Sequence, residues 1–171
     1  MKTIKDFINE NLLVEGLNEN FFADLINAIE NETDRFTKSD TIKFCEQESF
    51  EKDIFNNFNI VRYEVSSTGT GMCISLTEKD SMSKFHDGLY SDGRDYTDII
   101  SYEYYDDSPH NVRWNQVGNL EISLPEFTKY PKVIQDNLNK TKYNKFLKQI
   151  EKLGAKKQKS KFGRHIFLYK K

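Results

Sequence analysis

Residues 60–76 read IVRYEVSSTGTGMCISL, and this stretch decides the fold class. Apolar and polar side chains alternate before Thr68-Gly69-Thr70-Gly71, and apolar residues recur at every second position after it. Period-two alternation is typical of strands with one buried face, and a glycine-containing connection of this length is typical of a tight turn. The sequence therefore predicts a β-hairpin here.

The residues before the hairpin have helical periodicity instead. Thr3 and Asp6 form a capping-box pattern at the start of one apolar stripe, and Asn18 is placed to cap a second. The second stripe consists of Phe22, Leu25, Ile26 and Ile29. Residues 1–58 are therefore predicted to form a helical N-terminal subdomain of two or three amphipathic helices.

The chain after the hairpin returns to strands and then to helix. The predicted elements are strands at 99–105, 111–117 and 119–124, a helix from Pro131 to Leu153 that breaks near Asn139 and ends at Gly154, and a final edge strand from Arg164 to Tyr169. The expected fold is α+β, with N-terminal amphipathic helices, a central antiparallel sheet, a C-terminal helix and a final edge strand. Residues 59–171 are expected to form one compact unit with residues 1–58.

Composition excludes several classes of protein. No stretch approaches the roughly 20 apolar residues that span a bilayer. Asp6 and Glu10 interrupt the apolar run that a signal peptide requires, so we expect a cytoplasmic protein without a membrane partner. Cys45 and Cys73 form no CxxC pair, which argues against a disulfide framework and a zinc knuckle.

No motif indicates a cofactor, a metal or a catalytic centre. The chain has no glycine-rich phosphate loop, no dinucleotide fingerprint and no nucleophile elbow. His86, His110 and His165 lack the spacing of a zinc site. We therefore expect no cofactor, no bound metal and no catalytic residues.

Charge is distributed very unevenly along the chain. Residues 1–128 carry 25 acidic and 11 basic side chains, whereas residues 129–171 carry 2 acidic and 14 basic ones. The two regions thus have net charges of −14 and +12, although the whole chain has only −2. Such asymmetry indicates charged partners, unless the two regions neutralise each other within the monomer.

The first candidate binding region is acidic. We call it the acidic segment, and its members are Asp92, Asp95, Asp98, Asp106 and Asp107, together with Tyr104. Spaced carboxylates beside tyrosines fit a positively charged groove, and tyrosine is a favoured interface anchor. The alternative is a solvated loop beside a half-buried strand.

The second candidate region is basic. We call it the basic tail, and its members are Lys156, Lys157, Lys159, Lys161 and Arg164. Positive charge next to aromatic residues such as Phe162 suits a phosphate backbone with exposed bases. The alternative is an edge strand that lysines protect against aggregation.

Part of the basic region resembles a known family. The run from Phe146 to Gly154, followed by residues 159–167, resembles the helix–strand–strand core of HicA-type toxins, which are small RNA-cleaving proteins with a double-stranded-RNA-binding-like fold. Gly163 and His165 match the family's Gly-Ser-His-His segment, whereas Arg164 departs from it. The resemblance implies that His165 acts as a general acid or base on RNA. The alternative is a structural histidine.

The chain as a whole resembles phage anti-defence proteins, and type II anti-CRISPR proteins in particular. It is short, rich in Asn, Lys and Tyr, divided in charge and without a catalytic motif. The resemblance implies a non-enzymatic inhibitor in the bacterial cytoplasm, which binds an RNA-guided nuclease or its ribonucleoprotein and blocks nucleic-acid engagement. The alternative function is that of an RNA-binding or RNA-cleaving protein of the HicA kind.

Overall fold

In the described part of the chain, three α-helices and one short 3-10 turn accompany a single six-stranded antiparallel sheet. The computed structural model describes Thr3, Phe50, Ile54 and residues 18–31, 60–68, 71–78, 98–105, 117–130 and 132–171, with side chains left out for 60–68, 71–78, Asp98, Val133 and Asn137. This arrangement confirms the predicted α+β fold class.

The sheet has the strand order β1-β2-β3-β4-β6-β5. Its strands are β1 (Ile60–Thr68), β2 (Gly71–Glu78), β3 (Asp98–Tyr105), β4 (Asn119–Pro125), β5 (Lys156–Lys157) and β6 (Arg164–Lys170). The helices are α1 (Phe21–Glu30), α2 (Lys132–Asn137) and α3 (Lys140–Lys152), and the 3-10 turn is Phe127–Lys129. Each helix in the described ranges is too short or too polar to cross a bilayer.

The predicted hairpin is confirmed. Strands β1 and β2 pair antiparallel down to Thr68 opposite Gly71. The strand expected at 111–117 cannot be compared, since residues 111–116 lie outside the described residues and Val117 is in the turn before β4. The helix expected from Thr3 also lies outside them. A boundary at residue 58 therefore stays a prediction.

A row of large side chains crosses the sheet and forms the centre of the core. Tyr102 on β3 pairs with Ile122 on β4, and Ile122 pairs with Phe167 on β6. Paired residues point to the same face, so the three side chains lie side by side, and all are buried. Helix α1 covers this face, and the ring of Phe21 lies 6.0 Å from that of Tyr102.

Helix α1 buries the stripe that the sequence predicts. The stripe comprises Phe22, Leu25, Ile26 and Ile29, and Phe21 joins it in the core. The helix begins two residues later than a cap at Asn18 would require. The Asn18 side chain instead accepts a hydrogen bond from the backbone N–H of Asn20, at 3.1 Å, and so stabilises the turn before the helix.

The break between α2 and α3 confirms the expected interruption at Asn139. Its side-chain oxygen accepts hydrogen bonds from the backbone N–H groups of Thr141, at 2.8 Å, and Lys142, at 3.4 Å. These bonds satisfy donors that the first turn of α3 leaves without intrahelical partners. Gly154 follows the end of α3 with a φ of +98°, which is the left-handed conformation of a helix C-terminus.

The end of α1 is connected to the end of the chain through one carboxylate. Glu30 accepts a hydrogen bond from the Tyr104 hydroxyl, at 2.6 Å, and an ion-paired hydrogen bond from the Lys171 ammonium, also at 2.6 Å. The bonds from Lys171 and Tyr104 lower the pKa of the Glu30 carboxyl below its ordinary value of 4.5. The carboxylate thus joins α1, β3 and the residue after β6.

This pKa shift predicts a pH dependence of stability. Because the folded pKa is the lower one, ionised Glu30 stabilises the fold fully above pH 4.5, and the contribution disappears as the pH falls through the folded pKa. We expect Glu30→Gln to lower the free energy of unfolding by about 0.2–1 kcal/mol at pH 7, since the site is partly exposed. Urea titrations between pH 3 and 7 should show this difference shrinking below pH 4.5.

The matched control is Glu19→Gln, which removes an exposed carboxylate at the other end of α1. It should not reproduce this pH dependence. A difference between Glu30→Gln and the wild type that is the same at pH 3 and pH 7 would contradict the assignment.

Candidate nucleic-acid interface

The basic tail forms a β-hairpin. Strand β5 pairs with β6, with Lys156 opposite Leu168 and Lys157 opposite Phe167. At the tip, the backbones of Lys161 and Arg164 exchange hydrogen bonds of 3.3 and 3.0 Å. The two residues between them both have left-handed backbones, with φ of 54° at Phe162 and 69° at Gly163. This is the geometry of a type I′ turn.

The tip of the hairpin is attached to the neighbouring part of the fold. The carbonyl of Gly163 accepts a hydrogen bond of 2.8 Å from the backbone N–H of Glu126. The stem of Lys129 lies so close to Gly163 that an added Cβ would be 2.9 Å from its Cε atom. Glycine is favoured at this turn position for its φ, whereas the exposed Lys129 side chain could move away from an added Cβ. These contacts fix the direction in which the tip points.

The four lysines of the hairpin form no ion pair with another described residue. We call Lys156, Lys157, Lys159 and Lys161 the tail lysines, and all four are exposed. The ion pairs found among the described residues are those of Lys132 with Asp136 and of Lys171 with Glu30. Within that part of the chain, no carboxylate neutralises the tail lysines, so their positive charge faces solvent.

The adjacent helix adds to this positive charge. The outer surface of α3 carries the exposed lysines Lys140, Lys142, Lys145, Lys148 and Lys152. Helix α3 has one acidic residue, Glu151. The buried side of the helix consists of Tyr143, Phe146 and Ile150, which face the core. Packing and charge are thus separated on opposite sides of α3.

Phe162 differs from the other aromatic residues of the region. It is 98% exposed, whereas Phe167 is buried in the core and Tyr169 packs on Phe22 with ring centroids 5.4 Å apart. In the sequence, Phe162 is recognisable only as an aromatic residue beside lysines. Its place in a two-residue turn has no local signal, because Phe-Gly is not among the pairs typical of type I′ turns.

Arg164 differs from the tail lysines in its surroundings, and its role in binding stays a prediction. The residue is half-buried. Its Nε donates to the Ser123 hydroxyl, at 2.7 Å, and its Nη2 donates to the Ser123 carbonyl, at 3.2 Å. Ser123 is buried in β4. The guanidinium therefore joins β6 to β4 inside the fold.

His165 lies on the core face of β6 in an environment that disfavours its charged form. Burial, followed by the positive charge of Lys157, lowers the pKa of the imidazole, and the negative charge of Glu126 opposes this only in part. Its Nδ1 is buried and has no hydrogen-bond partner in the described part of the chain. No acid–base pair can be identified there that would orient the imidazole for catalysis.

Tyr143, an aromatic neighbour of His165, is hydrogen-bonded within the fold. The Tyr143 ring lies 6.3 Å from the imidazole, and its hydroxyl donates to the Pro125 carbonyl at 2.5 Å. Burial raises the pKa of the Tyr143 hydroxyl far above its ordinary value. Among the described residues, no three His, Cys, Asp or Glu side chains gather as metal ligands would.

The acidic segment falls mostly outside the described residues. This applies to Asp92, Asp95, Asp106 and Asp107, and only the backbone of Asp98 is described, at the start of β3. Tyr104 requires a correction, because it is not an exposed anchor. It is 5% exposed, and its hydroxyl donates to Glu30. Tyr104 therefore belongs to the core.

The contrast between Arg164 and Lys161 gives a test of these assignments. Arg164→Ala should lower the free energy of unfolding by about 1–2 kcal/mol, because it removes charge-assisted hydrogen bonds to the buried Ser123. Lys161→Ala removes the same charge at the opposite end of the turn and should change stability by less than about 0.5 kcal/mol. Chemical denaturation of both variants measures the difference. Equal effects would show that Arg164 is a surface residue.

Comparisons with known proteins add no relative. No protein-family model matches the chain, and neither a curated protein nor a solved structure matches it. The resemblances to HicA-type toxins and to type II anti-CRISPR proteins therefore stay hypotheses from the sequence.

Proposed function

We propose that this protein binds nucleic acid through its tail lysines and does not cleave it. One observation carries the proposal: four exposed lysines, none of them neutralised by a described carboxylate, lie within six residues on one hairpin. Contacts at its tip hold the hairpin in a defined direction. Because the backbone of the hairpin is already ordered, binding costs the conformational entropy of the lysine side chains only.

The alternative of an edge strand protected by lysines explains less of this geometry. Strand β5 has only two residues, so it presents a very short edge for pairing with another chain. Lys159 and Lys161 lie beyond β5, in the connection to β6 and at the tip. Protection of an edge does not account for lysines at these positions, whereas phosphate binding does.

Two residues near the tip, His165 and Arg164, could take part in RNA cleavage. Their surroundings favour binding without catalysis. His165 is held in a site that opposes its protonation, and Arg164 is bonded to Ser123. A general acid needs a proton to give, and a transition-state clamp needs a guanidinium that can reach the substrate. The site of His165 opposes the role of general acid, and no described side chain bonds its Nδ1 to orient the imidazole as a general base. Two of the three guanidinium nitrogens of Arg164 are engaged by Ser123.

The salt dependence of binding tests the role of the tail lysines. Replacing all four by Ala should flatten the slope of log K against log salt by about three to four units, because each lost phosphate contact removes one counterion-release contribution of about 0.7–0.9. Fluorescence anisotropy with a labelled oligonucleotide, at several salt concentrations, measures the slope.

The control variant removes four positive charges from residues 1–128 instead. In it, Lys2, Lys5, Lys38 and Lys52 are replaced by Ala. Net charge then changes equally in both variants, so a general charge effect would flatten both slopes alike. An unchanged slope in the tail variant would show that the tail lysines do not contact phosphates and are only solvated surface residues.

A second candidate function is favoured by the charge asymmetry. An inhibitor of an RNA-guided nuclease, of the type II CRISPR kind, would meet a basic nucleic-acid channel and an exposed guide RNA on one target. Residues 1–128, with a net charge of −14, suit the channel, and the tail lysines suit the guide RNA. The two functions are compatible, since the second uses the RNA binding of the first.

Charge reversal in the acidic segment tests this second function. The variant with Asp92, Asp95 and Asp98 replaced by Lys should lose inhibition of DNA cleavage by a purified type II effector–guide complex, because like charges would then face each other across the interface. The control reverses Glu10, Glu15 and Glu19, which are acidic residues of the region 1–128 outside the segment. Absence of inhibition by the wild type would exclude this function and leave RNA binding intact.

A further inference from the structure

Phe162 occupies a position that its residue type does not favour. A type I′ turn needs a positive φ at both central residues, and Asn-Gly is the usual choice. For most residues other than Gly, Asn and Asp, the left-handed conformation costs about 1–2 kcal/mol, because Cβ approaches the following carbonyl oxygen. Phe162 has a φ of 54°. It is also 98% exposed, so packing within the described fold does not compensate for this cost.

The surroundings of Phe162 indicate what its ring binds. Lys161 precedes it in the turn, Lys159 lies two residues further back, and both are exposed. A flat apolar ring between cations matches a nucleotide, whose base has an apolar face and whose phosphate is anionic. In a duplex the base faces are covered by neighbouring pairs, whereas a single strand leaves them open for stacking.

We propose that Phe162 is a stacking platform for an unpaired base, and that Lys159 and Lys161 hold the flanking phosphates. The ligand class is single-stranded nucleic acid rather than duplex. This inference rests on the proposed function and narrows it, since the tail lysines alone would bind either form.

An apolar pocket of a partner protein is the other occupant to consider for an exposed phenylalanine. Protein interfaces place such an anchor at the centre of an apolar patch. Among the described residues, the other exposed large apolar side chain is Val117, which is 38% exposed and lies in the turn before β4. The nearest neighbours of Phe162 along the chain are instead Lys161 and Gly163, and the exposed Lys159 lies three residues before it. An isolated ring among cations favours a nucleotide.

The geometry of the turn supports a platform that exists before the ligand arrives. The Gly163 carbonyl is bonded to the Glu126 N–H, and Gly163 lies against the Lys129 stem. The backbone hydrogen bonds between Lys161 and Arg164 close the turn on either side of the ring. A base that stacks on Phe162 therefore meets a platform whose backbone is already ordered.

The experiment compares Phe162→Asn with the wild type on defined oligonucleotides. Asn tolerates the left-handed backbone, so the variant should keep the turn and should not lower the melting temperature. The probes are a 12-nucleotide single strand in ribose and in deoxyribose form, a deoxyribose strand of the same length that is abasic at every position, and a 12-base-pair duplex. Anisotropy at one fixed salt concentration gives the affinities.

We expect Phe162→Asn to weaken binding of the intact single strands by about 5- to 150-fold, the range for loss of one aromatic stacking contact. Binding of the abasic strand and of the duplex should change by less than about twofold, because neither offers an open base face. Phe162→Trp should retain the affinity of the wild type for the intact strands. The ribose and deoxyribose strands distinguish the two sources of the base.

Three outcomes would overturn the inference. These are wild-type affinity in Phe162→Asn, an equal loss on intact and abasic strands, and wild-type binding that does not distinguish single strand from duplex. The quadruple variant of the tail lysines separates this failure from failure of the proposed function. If that variant loses binding while Phe162→Asn does not, the proposal of nucleic-acid binding is supported and the proposal of base stacking on Phe162 is wrong. If neither variant loses binding, both proposals fall.

Discussion

The antiparallel pairing of β6 with β4 is the constraint on which the other features of the C-terminal region depend. It places Phe167 beside Ile122 and so completes the row of side chains on which the core is built. The same register places Arg164 opposite Pro125, next to the Ser123 that it binds. Because β6 is fixed along its whole length, the turn that precedes it points in one direction. Core packing and presentation of the basic tail thus have one cause.

Local patterns determined the parts of the fold that could be predicted. The stripe of α1, the break at Asn139, the end of α3 at Gly154 and the hairpin at Thr68 depend on residues only a few positions apart. Helical and strand periodicity, caps and turns act over such distances, so the sequence displays them directly. The order of the strands in the sheet has no such local signal, and the pairing of β6 with β4 had to come from the structure.

Long-range partners explain why the candidate sites were predicted less well. Tyr104 resembles its acidic neighbours in sequence, but its hydroxyl meets Glu30, which is 74 residues away. Arg164 resembles the lysines before it, but it binds Ser123, 41 residues away. Successive side chains of a strand point to opposite faces of the sheet. Neighbouring residues of β6 therefore have different surroundings, although they are adjacent in the sequence. Of the tail lysines, Lys159 and Lys161 lie outside the named strands, and Lys156 and Lys157 are both exposed on the two-residue edge strand β5.

The basic tail contains two features that lower the stability of the free protein. Four lysines within six residues repel one another, and a phenylalanine adopts a backbone conformation that costs free energy and gains no packing in the described fold. Local preferences and the global fold usually agree in natural sequences, and disagreements concentrate at functional sites. Mutual repulsion of the lysines is relieved when phosphates bind between them, and the ring gains contact area when a base covers it. Both unfavourable features of the free protein are thus favourable in one kind of complex, which is the physical reason for assigning them to a common nucleic-acid ligand.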